Sequence, residues 1–474
     1  MAGIMSYGAY IPFPRLNRAE IAAAWGTRKI PGEKAVANYD EDSLTMAVAA
    51  ARDCIKGIAV EDIGGLYFAS TTPPYKEKQS AATIATVLGL GREAFTADFS
   101  GSLRSGTSAV RAAMDAIRSG SVKNVLVCAS DVRMGHPMGG SELDFGDGAA
   151  AFLIGDTDVI AEIEGSYSIH DEIQDVWRSD KDTFVRKGEN RFILQQGYDR
   201  VVREAVSGAL ERFKLTPEDY ARAAFSAPNP RSLVGVCRKL GFDPKAQVRD
   251  VLYNEVGDTG TAMSLMCLVE ALEESEGGDR VLVAGYGNGC DVFSLKVLDG
   301  IENVRDRRGI KGHLLSKRMI SGYNKYLRWR DLVDVEPAPR PPLELRQPSP
   351  SAQWRENQGE LRLRGTMCNR CGTPQYPPQR VCMSCKAKDD FERYSFMDRV
   401  ARVSSFSHDF VMETLDPPVT VTVVDFEGGG RIMCDMTDRD PEAVEVDMQV
   451  EMTFRRLYYV GGIYNYWWKC RPIR

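Results

Sequence analysis

The stretch Gly101-Ser-Leu-Arg-Ser-Gly-Thr107 is a glycine-rich turn that leads directly into a helical pattern. After it, apolar residues recur at spacings of three and four, at Val110, Ala113, Met114 and Ile117. This is the periodicity of a helix with one buried face. A serine–glycine pair ends the helix, and the apolar run after that pair predicts a buried strand.

The same order of elements returns in the second half of the upstream region. Gly257-Asp-Thr-Gly-Thr-Ala262 leads into another apolar helix, two glycines end it, and residues 281–284 form the next buried strand. Each half then closes with one more apolar strand, over residues 149–154 in the first and 292–297 in the second. Recurrence of the whole set after about 155 residues indicates two related α/β halves. Chance recurrence of common α/β units is the alternative.

Two cysteine pairs near the C-terminus, Cys368-Asn-Arg-Cys371 and Cys382-Met-Ser-Cys385, are separated by ten residues. Each pair can place two thiolates on one metal ion, and two such pairs complete a tetrahedral four-sulfur site. Two disulfides or a redox dithiol are the alternatives. We expect a structural zinc ion, bound by Cys368, Cys371, Cys382 and Cys385, that stabilises a ribbon too small to have much core of its own.

The length of the chain predicts several domains, because 474 residues are more than one typical hydrophobic core can include. The segment 337–351 holds six prolines, a density that a helix interior does not tolerate, and it therefore predicts an extended linker. Beyond the cysteines, five short β-rich runs with glycine turns favour a small barrel of the OB type. The expected domains are two α/β halves at 1–165 and 166–335, a linker at 336–352, a zinc ribbon at 353–392 and an OB-fold at 393–474.

Composition limits the classes of function. The net charge is −6, and from residue 353 onward 17 Lys and Arg stand against 18 Asp and Glu. This balance argues against nucleic-acid binding. Neither a signal pattern nor an apolar run of membrane-spanning length is present in the sequence. We therefore expect no membrane partner and a cytoplasmic location.

Several motifs of the upstream region together resemble the thiolase superfamily. They are Asp98-Phe-Ser-Gly-Ser-Leu-Arg-Ser-Gly-Thr107, Phe145-Gly-Asp-Gly-Ala-Ala-Ala151, Phe225-Ser-Ala-Pro-Asn-Pro-Arg231, Gly257-Asp-Thr-Gly260 and Gly285-Tyr-Gly-Asn-Gly289. The nearest branch is that of hydroxymethylglutaryl-CoA synthase and ketoacyl-ACP synthase III. The downstream region resembles acyl-CoA-associated proteins that join a rubredoxin-like zinc ribbon to an OB-fold.

This resemblance implies a duplicated five-layer α/β/α/β/α thiolase-like fold, followed by the ribbon and the OB-fold barrel. It also implies a coenzyme A thioester as the substrate. It further implies a homodimer, or a larger complex with other acyl-CoA enzymes such as a hydratase or dehydrogenase.

The family's catalytic cysteine, histidine and glutamate fall on other residue types in this chain. Leu103 stands in the place of the cysteine that accepts the acyl group, at the start of the helix after the first glycine-rich turn. Ser226 stands in the place of the histidine and Thr71 near that of the glutamate. The nearby serines lack an aligned base. The resemblance therefore implies chemistry without an acyl-cysteine, or no chemistry.

Other residues at matching positions are candidates for proton transfer and binding. Asp258 can act as a general base or cap the following helix. Tyr286 can hold or deprotonate a β-hydroxyl or pack in the core, and Asn229 can polarise a carbonyl. His136, in a loop at the pocket edge, is either a base or simply exposed. With Ser226, these are the catalytic candidates, and Arg231, Thr71 and Leu103 are assigned to binding of the CoA thioester.

Three functions remain open from the sequence. The preferred hypothesis is an acyl-CoA aldolase or lyase that cleaves or forms a β-hydroxyacyl-CoA by proton transfer. The alternatives are a condensing acyltransferase like hydroxymethylglutaryl-CoA synthase and a non-catalytic acyl-CoA-binding scaffold. Leu103 opposes the condensing enzyme, because retro-aldol chemistry needs no covalent acyl-enzyme and thioester condensation in this family uses one.

Overall fold

The computed structural model of the chain describes residues 2–28, 30–248, 251–336 and 347–474. It divides into two compact units, and the larger one consists of alternating strands and helices. The larger unit comprises Met1–Ala37 and Asp42–Tyr323, and the smaller comprises Asn38–Glu41 and Asn324–Arg474. The strands of the larger unit are β1 (Gly3–Tyr10), β2 (Pro14–Asn17), β3 (Glu33–Ala35), β4 (Gly65–Ala69), β5 (Phe95–Phe99), β6 (Val125–Asp131), β7 (Gly148–Gly155), β8 (Ala161–His170), β9 (Val176–Trp177), β10 (Arg186–Lys187), β11 (Arg222–Phe225), β12 (Arg280–Tyr286), β13 (Gly289–Val297) and β14 (Arg318–Met319). Its α-helices are α1 (Arg18–Ala24), α2 (Ser43–Cys54), α3 (Ser80–Leu88), α4 (Ser105–Arg118), α5 (Gly140–Asp144), α6 (Asn190–Phe192), α7 (Arg200–Phe213), α8 (Pro230–Leu240), α9 (Val251–Glu255), α10 (Met263–Glu273) and α11 (Gly309–Leu314).

The main sheet is symmetric about the pair β1 and β8. Its strand order is β11-β12-β13-β8-β1-β7-β6-β4-β5. Reading outward from the centre, β1-β7-β6-β4 in one half corresponds to β8-β13-β12-β11 in the other. In both halves the two inner pairings are antiparallel and the outer one is parallel. The predicted duplication is confirmed.

Helices α4 and α10 form the central layer, because their apolar residues are buried on both sides. Val110 and Met114 from α4 share one core with Leu265 and Leu268 from α10 and with strands of both half-sheets. A Cβ atom on Gly106 would lie 2.5 Å from the carbonyl oxygen of Thr261. Glycine is therefore required where α4 begins.

The outer faces of the sheet are covered by helices of each half. Helix α2, buried along most of its length, packs on β1, β6 and β7. Helices α7 and α8 form a second core with β12 and β13 that includes Val202, Val236 and Val292. The resulting five layers confirm the predicted thiolase-like α/β/α/β/α fold.

The smaller unit contains two β-structures. From residue 323 onward the elements are α12 (Tyr323–Trp329), α13 (Pro350–Glu360), β15 (Arg364–Cys368), β16 (Pro374–Gln375), β17 (Phe391–Ser395), β18 (Ala401–Asp409), β19 (Val419–Phe426), β20 (Arg431–Asp435), β21 (Gln449–Val460) and β22 (Ile463–Pro472). A three-stranded ribbon has the order β16-β15-β17, and a five-stranded sheet has the order β20-β19-β18-β21-β22. The five strands lie where the OB-type pattern predicted them.

The predicted linker needs one correction. Residues 337–346 of it lie outside the described residues, but its last part is helical, because α13 begins at Pro350. Proline is tolerated at the first helical position, where its missing N–H has no partner to lose. Ser349 caps this helix by accepting the backbone N–H of Ala352. Across the described ranges, every helix is too short or too polar to span a bilayer.

Candidate active site and metal centre

A cavity of about 800 Å³ opens in the larger unit where the motifs of the two halves meet. Five of the eight predicted pocket residues line it: Leu103, Ser226, Asn229, Asp258 and Tyr286. They come together because equivalent turns of a duplicated fold lie at the same edge of its two half-sheets. Leu103 precedes α4, and Tyr286 ends β12. The symmetry seen in the sequence thus accounts for the location of the cavity.

Ser226 and Asn229 have structural hydrogen bonds. The backbone N–H of Tyr286 donates to the Ser226 hydroxyl at 3.1 Å, and that hydroxyl donates to the carbonyl of Ala284 at 3.4 Å. Asn229 caps α8, since its Oδ1 accepts the backbone N–H of Ser232 at 2.9 Å. Both side chains therefore fix the loop after β11 and the end of β12, and so shape the cavity wall.

Asp258 is held by two partners. Its Oδ1 accepts the backbone N–H of Gly260 at 2.9 Å, and its Oδ2 lies 3.0 Å from Nη1 of Arg133. The Arg133 side chain is 3% exposed and lies over the ring of Phe145 at 4.0 Å. A carboxylate oxygen accepts more than one hydrogen bond, so Asp258 keeps acceptor capacity towards a ligand.

Tyr286 forms a pair with a residue that the sequence did not indicate. Its hydroxyl donates to Oδ2 of Asp175 at 2.7 Å, and Asp175 is 3% exposed. Burial, and secondly the charge of Asp175, raise the pKa of Tyr286 well above its ordinary value. The phenol is therefore protonated at neutral pH, with its proton directed at Asp175. Tyr286 can therefore accept a proton only while it passes its own to Asp175, and its role towards a β-hydroxyl stays a prediction.

Several other residues of the cavity were missed. They are polar or charged side chains from five separate segments: Arg133, Asp144, Asp175, Lys187 and Tyr198. Arg133 lies two residues beyond the end of buried strand β6, a location at which α/β proteins commonly place ligand-binding residues. That signal was available. The loop before β9 and the segment around Tyr198 have no periodicity that could have indicated them.

Three predicted residues are not among the described residues that line the cavity. His136 is exposed, and its ring lies 4.3 Å from that of Phe184. Arg231 is exposed in the first turn of α8. Thr71 is half-buried, with its backbone N–H donating to Asp131 at 2.7 Å. The exposed alternative fits His136, whereas a binding role for Arg231 or Thr71 stays a prediction.

No cysteine occurs among the described residues that line the cavity. Leu103 presents a hydrocarbon side chain there. Cys290 follows the Gly285–Gly289 motif by one residue and is fully buried in β13. Burial raises the pKa of its thiol far above the ordinary value, and a protonated thiol is a poor nucleophile. The cavity thus offers no activated sulfur.

The four cysteines of the ribbon converge on one point. Their sulfur atoms all lie within 4.8 Å of one another, with Cys368 to Cys385 at 3.6 Å and Cys371 to Cys382 at 3.5 Å. A zinc–sulfur bond of about 2.3 Å in a tetrahedron requires sulfur atoms roughly 3.8 Å apart. The four thiols therefore fit a structural zinc ion, which would cross-link the two turns of the ribbon.

Comparison with known proteins bears on both units. The family pattern described as 3-oxoacyl-[acyl-carrier-protein (ACP)] synthase III C terminal matches residues 210–297. The pattern described as "ChsH2, rubredoxin-like zinc ribbon domain" matches residues 359–392. The pattern described as "ChsH2, C-terminal OB-fold domain" matches residues 397–455. The Methanopyrus kandleri hydroxymethylglutaryl-CoA synthase is 34% identical over 339 residues, covering 69% of this chain and 97% of that protein. The chain belongs to the hydroxymethylglutaryl-CoA synthase family.

Another relative in this family, the Methanocaldococcus jannaschii hydroxymethylglutaryl-CoA synthase, is 33% identical and is covered completely. Among solved structures, MvaS in complex with 3-hydroxy-3-methylglutaryl coenzyme A matches with a TM-score of 0.63 at 20% identity, covering 72% of this chain and 94% of that one. The Thermus thermophilus synthase III, FabH, matches with a TM-score of 0.58 at 21% identity, covering 63% and 99%. These likenesses confirm the fold. The chain is a hydroxymethylglutaryl-CoA synthase-like enzyme of the thiolase superfamily with a fused zinc ribbon and OB-fold.

Proposed function

We propose that this chain makes or breaks a carbon–carbon bond in an acyl-CoA by proton transfer, without an acyl-enzyme. The substrate in the cleavage direction is a β-hydroxyacyl-CoA, and the products are a carbonyl compound and a shorter acyl-CoA. The observation that carries the proposal is a cavity lined by Leu103, with no thiol among its described residues and with two carboxylates that touch proton donors.

The Tyr286–Asp175 pair supports proton removal from the β-hydroxyl. The substrate hydroxyl would donate its proton to the Tyr286 oxygen while Tyr286 passes its own proton to Asp175. The phenol stays neutral throughout, as its raised pKa requires. The carbon–carbon bond then breaks, and its electron pair moves to the thioester as an enolate. A proton from solvent then adds to the α-carbon and completes the shorter acyl-CoA, while Asp175 releases its proton to solvent, so that the reaction has no net change in protons.

The Arg133–Asp258 pair supports the thioester end of this reaction. The positive charge of Arg133, buried beside the cavity, would stabilise negative charge that develops on the thioester oxygen. Asp258 keeps the guanidinium in place. One of its carboxylate oxygens would take up a proton and pass it to the α-carbon. In the synthetic direction the same groups act in reverse order.

The test is incubation of the full chain with a panel of β-hydroxyacyl-CoAs of increasing chain length. Release of an aldehyde or ketone together with the shorter acyl-CoA, read by carbonyl derivatisation and chromatography, is the expected result. Direct acyl-CoA binding measured alongside makes a negative result decisive. If every thioester binds and none is cleaved or formed, the proposal is wrong.

Condensation of two acyl-CoA units is the second candidate, and the comparisons favour it over cleavage. Both relatives named above are hydroxymethylglutaryl-CoA synthases. The cysteine-free cavity opposes a covalent route to the same product. Supplying acetyl-CoA with acetoacetyl-CoA and looking for hydroxymethylglutaryl-CoA and free CoA distinguishes the two candidates. If neither reaction occurs, the third hypothesis, a non-catalytic acyl-CoA-binding scaffold, is the one that is left.

The remaining expectations about binding belong to the same proposal. An acyl-CoA is the substrate, and the chain acts as a homodimer in the cytoplasm, alone or with other acyl-CoA enzymes. Zinc has a structural role only, because the four sulfurs complete its tetrahedral shell and leave no open position for a substrate.

A further inference from the structure

Tyr198 is the one tyrosine of the cavity whose hydroxyl has no hydrogen-bond partner within the described part of the chain. The residue is 1% exposed and lines the cavity with Ile193 and Leu194. A buried hydroxyl that has given up its bonds to water without a replacement costs free energy. Because Tyr198 lines the cavity, we take a ligand atom as the partner that completes its hydrogen bonding.

The local backbone supports this interpretation. Residues Ile193–Asp199 form a π-helix, a rare conformation that occurs frequently at functional sites. A Cβ atom on Gly197 would lie 2.6 Å from the hydroxyl oxygen of Tyr286. Glycine at this position lets the π-helix approach the Tyr286 phenol closely. The next residue, Tyr198, then meets Tyr286 ring edge to ring face, with centroids 5.5 Å apart and planes at 85°.

The two phenols differ in what they can offer a ligand. The Tyr286 proton is committed to Asp175 at 2.7 Å, whereas the Tyr198 proton is uncommitted. Burial raises the pKa of Tyr198 well above its ordinary value, so its hydroxyl is a donor at neutral pH. Around them, Leu103, Leu194 and Met263 present apolar surface.

We propose that Tyr198 is a specificity-determining residue that donates a hydrogen bond to an oxygen on the acyl chain, next to the oxygen handled by Tyr286. The site would accordingly select acyl-CoA thioesters that carry a hydroxyl or oxo group near the β-carbon, on an otherwise apolar chain. This inference rests on the proposed function for the presence of an acyl-CoA, but it does not require turnover.

The experiment is equilibrium calorimetry of the full chain with three ligands of equal chain length: 3-hydroxybutyryl-CoA, acetoacetyl-CoA and butyryl-CoA. We expect wild type to bind at least one oxygenated ligand about 10-fold more tightly than butyryl-CoA, the value of one good hydrogen bond. Tyr198→Phe keeps the ring in the core and should abolish that preference while leaving the Kd for butyryl-CoA unchanged.

Tyr220→Phe is the matched control. Tyr220 is also buried in the larger unit, but its hydroxyl donates to Ser294 and it does not line the cavity. The preference for the oxygenated ligand should survive in this variant.

Three results would overturn the inference: no preference in wild type, a preference that persists in Tyr198→Phe, or equal weakening of all three ligands. The wild-type comparison needs no variant to fold. A chain that shows the preference but turns over no acyl-CoA would refute the proposed function and leave this inference standing.

Discussion

Gly197→Ala tests whether the close approach of the π-helix to Tyr286 is built into the fold. The added methyl carbon would lie 2.6 Å from the Tyr286 hydroxyl oxygen, well inside the 3.4 Å at which ordinary contacts begin. One way to relieve this contact is for Tyr286 to move away from Asp175, which breaks a hydrogen bond to a charged group and costs about 1.5–3 kcal/mol. The other is for the π-helix to move, at a similar cost. Alanine regains about 0.5–1 kcal/mol over glycine in a helix.

The net expectation is a destabilisation of about 1–2 kcal/mol, which lowers the thermal midpoint of the larger unit by about 1.5–3 °C. Gly235→Ala is the control, because Gly235 lies in α8 and a Cβ atom there meets nothing within 4 Å. That variant should be neutral or slightly stabilised. Hydrogen exchange of the peptide over 193–199 should show faster opening in Gly197→Ala alone.

A double-mutant cycle with Tyr286→Phe makes this prediction specific. Phenylalanine lacks the hydroxyl oxygen that the new methyl group would meet, so Gly197→Ala should cost nothing in that background. We expect a coupling of about 1–3 kcal/mol between the two substitutions. If Gly197→Ala is equally destabilising with and without the hydroxyl, the steric argument is wrong.

Three further predictions follow from the same structure. Tyr286→Phe should lower turnover of the preferred acyl-CoA by about 10²–10⁴-fold without a comparable change in its Kd, and an unchanged turnover would contradict the relay through Asp175. Cys382→Ser should reduce zinc, measured by plasma mass spectrometry, from about one ion per chain to a small fraction, whereas undiminished zinc would rule out the four-sulfur site. Burial raises the pKa of Glu273 from 4.5 to about 7, so the folded chain binds this proton more tightly than the unfolded chain does. The resulting stabilisation of the fold is fully present below pH 4.5 and is lost as the pH rises through 7. Glu273→Gln should therefore gain thermal stability relative to wild type between pH 5 and 8, and a constant difference across that range would refute the assignment.

Much of the fold could be predicted because the duplication is visible in local patterns. Glycine turns and apolar spacings of three and four mark α4 and α10, and both helices are buried in the central layer as that pattern requires. The five OB-type strands were likewise predictable from alternation and glycine turns. The helical start at Pro350 was not, because a proline-rich segment predicts an extended linker, whereas the first position of a helix tolerates proline.

The cavity was only partly predictable. Motifs at the ends of equivalent elements pointed to Leu103, Asp258 and Tyr286, and these residues line one cavity. Asp175 contacts Tyr286 across 111 positions of sequence, from a loop without periodicity. Tyr198 lies in a π-helix, whose spacing matches neither the helical nor the strand template. Contacts of this kind depend on tertiary packing, which no local pattern specifies.

The central claim is that this cavity acts on a thioester without forming a covalent acyl-enzyme. The most direct measurement is peptide mass spectrometry on chain quenched in acid during turnover of an isotopically labelled acyl-CoA. The account predicts no labelled acyl group on any peptide, and in particular none on residues 98–107. A labelled peptide that accumulates before product release, whether at a serine beside Leu103 or at any cysteine, would contradict it.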